Sequence, residues 1–189
     1  STGPDLVITE PERGDWEVNS TALMTGTVSD RWSAIGAMTV NGDPVTVNGD
    51  GSFTDISEAA GLGLAFGNGL GVIGLDANQD GRTDVFVAND MMMNQLWLNR
   101  GGLYFEDEAL VLGCAVDEHG VVKSGMGVAA ADHDNDGDTD LLVVNLATQT
   151  DSFFRNTGTW FEDASVVVGL ATVPRRYTRF GVALVDFDN

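Results

Sequence analysis

The sequence predicts an all-β fold of repeated four-stranded units. Three observations carry this reading. Two different markers recur at a spacing near 55 residues, each period holds short runs rich in Val, Leu and Phe, and Gly, Asn and Asp cluster between the runs.

The first marker is an apolar run ending in aspartate. It occurs as Gly71-Val72-Ile73-Gly74-Leu75-Asp76, as Gly127-Val128-Ala129-Ala130-Ala131-Asp132 and as Gly181-Val182-Ala183-Leu184-Val185-Asp186. Asp132 follows Asp76 by 56 residues, and Asp186 follows Asp132 by 54. The second marker is Phe53-Thr54-Asp55, Phe105-Glu106-Asp107 and Phe161-Glu162-Asp163, each followed by glycine eight residues after the Phe, at Gly61, Gly113 and Gly169. It reads as a strand end entering an acidic turn. Strands are expected at residues 71–75, 84–89, 95–99 and 103–105, and again at 127–131, 140–145, 152–156 and 159–161. β-Branched and aromatic residues suit the pleated, half-buried surface these runs would form. Four strands per period is the strand count of a propeller blade, so the chain should hold about two and a half propeller-type blades. Residues 58–62 and 164–170 read as one-turn helices or loops.

Residues 1–50 lack this pattern and are expected to form a separate β segment, with the repeats occupying 51–189. Runs at 6–9, 22–29 and 37–47 read as strands, and Asn41-Gly42-Asp43-Pro44 reads as a hairpin turn between two of them. The strings GTVSD and VNGDPVTVNGDGSF resemble the start of a bacterial immunoglobulin-like domain, which implies a partial sandwich at the N-terminal end.

Charge narrows the function. The chain carries 29 acidic against 9 basic residues, a net charge of -20, so nucleic acid is excluded as a partner because phosphate binding needs a basic face. No apolar run is long enough to span a membrane. Cys114 is the only cysteine and lies in an apolar stretch, so it reads as a small buried hydrophobe and no internal disulfide can form. Neither histidine neighbours a recognisable nucleophile motif, and no enzyme activity is expected. Arg175, Arg176 and Arg179 read as a basic cluster that pairs with nearby acids or, as the alternative, docks an acidic neighbouring copy.

Eight of the aspartates fall in two nine-residue windows, Asp76-Ala77-Asn78-Gln79-Asp80-Gly81-Arg82-Thr83-Asp84 and Asp132-His133-Asp134-Asn135-Asp136-Gly137-Asp138-Thr139-Asp140. Acids kept for solubility would be spread more evenly. Ca²⁺ is a hard ion taking about 6–8 oxygen ligands in irregular geometry. Alternate positions of a curled loop aim side-chain oxygens at one point: Asp76, Asn78 and Asp80 in the first loop, Asp132, Asp134 and Asp136 in the second. Glycine at the sixth position permits a sharp turn. The backbone carbonyl of Arg82 or Asp138 can then face the ion, and Asp84 or Asp140 closes the far side. An EF-hand would need an acid at position 12 and flanking helices. Val87 and Val143 stand there instead, and the flanks are Val-rich runs. His133 occupies a non-ligand position and is expected to point to solvent.

The strings GVIGLDANQDGRTDVFVAND and GMGVAAADHDNDGDTDLLVVN, with LWLNRGG and FEDEA, resemble FG-GAP/VCBS repeat proteins. That grouping includes integrin α-subunit propellers and the cartilage-acidic-protein-like ASPIC/UnbV group. The resemblance covers residues 50–189. It implies two Ca²⁺ ions held in β-hairpin loops of a propeller, an extracellular or cell-surface setting, and roles in adhesion or matrix recognition. Asn78 stands where the pattern has an acid, which lowers the charge of the first loop. A third loop opens at Asp186-Phe187-Asp188-Asn189, giving a partial third site at Asp186 and Asp188.

Two blades and two fragments do not close a propeller. Either the sequence is a piece of a longer one or another copy supplies the rest, as a homo-oligomer or filament, since unpaired strand edges invite association. Beside the structural and adhesive reading stand a propeller that recognises an extracellular protein or glycan through residues 90–94 and 116–124, and an accessory domain of a secreted enzyme.

Overall fold

The computed structural model describes residues 56–63, 66–170 and 176–185 in full and, upstream of them, the backbone of four strands. The chain divides into two compact units, Ser1–Leu64 and Ala65–Asn189.

In the first unit β1 (Asp5–Glu10) pairs antiparallel with β2 (Thr25–Ser29), and β3 (Met38–Val40) with β4 (Asp43–Val45). Val40 opposes Asp43, so the hairpin connection is shorter than the sequence suggests, and Asp43 and Pro44 belong to the strand. Further on, Ala60 N–H donates to Ile56 O (2.7 Å) and Leu62 N–H to Ser57 O (2.8 Å), forming the turn expected there. Phe53, Thr54, Asp55, Asp186 and Asp188 lie outside the described residues.

The second unit holds two four-stranded antiparallel sheets with identical strand order. One is β5 (Gly69–Leu75), β6 (Asp84–Asn89), β7 (Gln95–Asn99) and β8 (Phe105–Asp107). The other is β9 (Gly125–Ala131), β10 (Asp140–Asn145), β11 (Ser152–Asn156) and β12 (Phe161–Asp163). The fold of the described residues is thus all-β, with one four-residue helix, α1 (Ala109–Leu112). Registers also match. Leu75 opposes Asp84 and Ala131 opposes Asp140 across the acidic loops, and both ladders slip where Asn89 meets Gly69 and Asn145 meets Gly125.

The outer strands start later than expected. Residues 103–105 and 159–161 read as strands, yet β8 and β12 begin at the Phe of each marker. The cause is the preceding turn. Arg100 N–H donates to Tyr104 O (2.8 Å) and Thr157 N–H to Trp160 O (3.0 Å), which keeps Tyr104 and Trp160 in the turns, and within them Gly101, Gly102 and Leu103 have φ of 88, 62 and 64° and Gly158 has 81°. Left-handed backbone cannot join a β ladder. The marker glycines have their own reason: Gly61, Gly113 and Gly169 all take positive φ (78, 86 and 83°), closing the turn that follows each marker. Residues 181–185, which repeat the apolar run of β5 and β9, form no strand. A strand exists only as part of a ladder, and this segment is instead tied down upstream, where Ala147 N–H donates to Thr178 Oγ1 (3.2 Å) and the Arg179 guanidinium pairs with Asp151 (2.7 Å).

The core lies between the two sheets. Phe86, Ala88, Leu96 and Leu98 from the first meet Leu141, Val143, Phe154 and Phe161 from the second, all buried. Cys114 is fully buried in this layer, and burial pushes its thiol pKa up, so it stays neutral. Glycines set the spacing where the inner strands meet. A Cβ on Gly71 would lie 3.1 Å from the Gly127 Cα, and one on Gly127 would lie 2.1 Å from the Phe180 carbonyl oxygen. At the same repeat position, a Cβ on Gly181 meets nothing within 4 Å. Gly71→Ala is therefore expected to lower stability by about 1–3 kcal/mol through overpacking, with Gly181→Ala near neutral. Chemical denaturation of the two variants checks this, and equal stabilities would show that the sheets are not held at glycine distance.

Candidate metal centre

Each acidic loop connects the first two strands of its sheet, and each is built on the same hydrogen bonds. The carboxylate of the first residue caps the turn: Asp76 accepts from the N–H groups of Asp80 (3.0 Å) and Gly81 (2.8 Å), and Asp132 from those of Asp136 (3.2 Å) and Gly137 (2.9 Å). The fifth residue holds the seventh, as Asp80 accepts from Arg82 N–H and Asp136 from Asp138 N–H, both at 2.9 Å. Gly81 and Gly137 have φ of 81 and 95°, the conformation for which glycine was expected.

The ninth residue is the anchor. Asp84 and Asp140 are fully buried. Asp84 accepts from Ala77 N–H (2.9 Å) on one oxygen and from Asn99 N–H (2.7 Å) on the other. Asp140 does the same with His133 N–H (3.0 Å) and Asn156 N–H (2.8 Å). One side chain thus ties the start of its loop, the head of its strand and the end of the third strand. Burial, the largest influence, raises both carboxyl pKa values above the ordinary carboxylate range, while the backbone donors pull the other way.

The loops differ in what their remaining oxygens face. In the second, ligand atoms of Asp132, Asp134 and Asp136 lie within 4.8 Å of one another, and so do those of His133, Asp134 and Asp140. Two oxygens on opposite sides of a Ca²⁺ ion are about 4.8 Å apart, given a bond of about 2.4 Å. The carboxylates at positions 1, 3, 5 and 9 therefore form one connected all-oxygen set around Asp134, which fits a hard cation. His133 is exposed, as expected, and it also has neighbours. Its ring sits edge-on to Phe153, centroids 4.9 Å apart, with Nδ1 3.9 Å from Asp140. In the first loop Asn78 accepts from Asp80 N–H (3.2 Å), and the second oxygen of Asp80 is held by the Arg82 guanidinium. A cation there must compete with a fixed positive charge. Arg82 was expected to matter only through its backbone, so this opposition was invisible in the loop pattern.

Two features escaped the sequence reading. Position 4 of each loop is left-handed, with φ of 58° at Gln79 and 59° at Asn135. Asparagine tolerates that region, but nothing about Gln79 announces it. Gln79 also reaches the other loop, its Nε2 donating to Gly137 O (3.0 Å) and to the Asp138 carboxylate.

If the ninth residue is a structural anchor, Asp84→Asn and Asp140→Asn should each cost about 1–3 kcal/mol even without any metal, because the new amide sets a donor against a backbone N–H. Asp134→Ala should change metal-free stability little. Urea melts in EDTA separate the two classes, and equal losses in all three variants would remove the anchoring role.

Residues 76–143 match the FG-GAP-like repeat family, and residues 4–81 match the family described as glucodextranase, domain B. Cartilage acidic protein 1 of Xenopus tropicalis is 30% identical over 102 residues, or 52% of this chain. The chain spans 15% of that relative's length.

Proposed function

Since the chain carries an FG-GAP-like repeat at residues 76–143, we propose that it is an extracellular calcium-binding module of structural or adhesive role, in which Ca²⁺ stiffens two interstrand loops. The observation that supports this most directly is the connected oxygen set of Asp132, Asp134, Asp136 and Asp140 in the second loop. Asp76, Asn78, Asp80 and Asp84 would serve the first, with the carbonyls of Arg82 and Asp138 completing the shells. Bound calcium would supply the counter-charge that these clustered carboxylates lack. The repeats act as blades of a propeller-like array, and the sequence at Asp186 and Asp188 matches the opening of a third acidic motif. Association with further blades, from a second copy of the chain or from more of the same array, fits the half-buried Val85 and Val87, which stand at the repeat positions of the buried Leu141 and Val143.

A second reading, recognition of a glycan or protein, draws on a cleft between the sheets. Asn78, Arg100, Glu108, Leu112, Asn156 and Trp160 line it, and Trp160 is 52% exposed. An exposed indole beside polar groups is a common recognition surface. Loss of glycan-array or partner binding in Trp160→Ala, with calcium binding intact, would support this reading. Unchanged binding would remove the cleft from consideration.

Thermal melting in millimolar Ca²⁺ and in EDTA tests the first reading. Each filled site should add about 1.4 kcal/mol when free Ca²⁺ is ten times Kd. The second loop should bind more tightly than the first, and Arg82→Ala should strengthen the first. The pH dependence should change sign with metal. In EDTA, the raised pKa values of Asp84 and Asp140 mean that the folded chain binds protons more readily than the unfolded one. Stability then rises as pH falls from neutral toward the ordinary carboxylate value. With Ca²⁺ bound, protonation expels the ion and stability falls over the same range. Identical melting with and without Ca²⁺ would refute the calcium reading.

A further inference from the structure

The two loops are wired to each other at two depths. On the surface, Gln79 of the first loop donates to Gly137 O and to the Asp138 carboxylate of the second. In the interior, Asp140 accepts from Asn156 N–H (2.8 Å), the Asn156 side chain donates to Ala77 O (2.9 Å), and Ala77 N–H donates to Asp84 (2.9 Å). Asn156, Asp140 and Asp84 are all buried, so this path joins the two anchors as a fixed frame. The surface bridge is the exposed part.

We infer that calcium binding at the two loops is positively coupled and that Gln79 carries the coupling. This rests on the calcium reading given above. Gln79 sits between Asn78 and Asp80, the two loop-one residues placed to hold the ion, and its backbone is left-handed (φ 58°). An ion drawn between Asn78 and Asp80 fixes that backbone and with it the direction of the Gln79 side chain. The side chain in turn holds Gly137 and Asp138, where the second loop makes its sharp turn and offers its carbonyl. A loop already held in its binding shape loses less freedom when its own ion arrives, which is cooperativity through shared ordering. By linkage the effect is equal in both directions. Repulsion between two bound cations opposes it and is weakened by the acidic surroundings and by salt.

The test is a thermodynamic cycle in calcium titrations of the full chain. Asp134→Ala disables the second loop and reports the first alone, and Asp80→Ala does the converse. The product of the two stepwise association constants of the wild type, divided by the product of the single-site constants, gives the coupling factor. The expected value is about 5 or more, within the usual allosteric range, falling toward 1 when Gln79→Ala is added to all three proteins. Gln79 is exposed, so its truncation should leave metal-free melting unchanged, and this is verified alongside. A factor of 1 or less in the wild type, or one that survives Gln79→Ala, overturns the coupling while leaving the calcium sites standing. No calcium binding by the wild type overturns the sites themselves, and the coupling with them.

Discussion

The second unit depends on one arrangement: a buried carboxylate whose two oxygens each accept a backbone N–H. Asp84 and Asp140 occupy it. A buried anion is costly unless hydrogen-bonded, and here its donors come from the loop entry and the end of the third strand. Satisfying the charge therefore organises the sheet. The loop curls back to offer its second residue, the third strand ends where its last residue can donate, and the oxygens of the loop are left gathered above the anchor. The elevated proton affinity of these groups is the cost of that burial, and a divalent ion beside them would offset it.

Between the sheets the governing constraint is distance. Gly71 and Gly127 let the inner strands approach until the larger side chains of β6, β7, β10 and β11 close into a single layer. That layer belongs to neither sheet alone, as neither buries Phe86 or Phe154 without the other's side chains. Repeat arrays behave this way in general, each unit leaning on its neighbour. The same closeness brings one acidic loop within reach of the next, so Gln79 can touch Asp138 and Asn156 can touch Ala77. Packing and the contacts between loops thus have one origin.

Near-identical sequence patterns nevertheless make unequal sites. Both loops share the turn-capping aspartate, the left-handed fourth residue and the buried ninth. What separates them is Asn78 in place of Asp134 and, in addition, a variable position in each. Arg82 folds back on Asp80, whereas His133 lies along Phe153 beside Asp140. Variable positions in a motif carry no weight in recognising it, yet their side chains decide how much of the shared oxygen set remains available to an ion.

The all-β class, the period, the strands 84–89, 95–99, 140–145 and 152–156, and the two acidic loops were all legible along the chain. These are local properties: alternation, turn glycine and carboxylate spacing are written along the chain. The outer strands read too early because Phe105 and Phe161 look like strand ends, and only the turns that close at Tyr104 and Trp160 show that the strand starts there. The hairpin at Asp43-Pro44 was overextended for a similar reason, since register depends on the partner strand. Tertiary contacts alone make Asp84 and Asp140 buried anchors, set the Arg82 guanidinium on Asp80, and let Gln79 and Asn156 join the loops. Each of these contacts joins residues brought together by strand pairing and sheet packing, and neither burial nor a partner across a sheet is encoded in the spacing of residues along one strand.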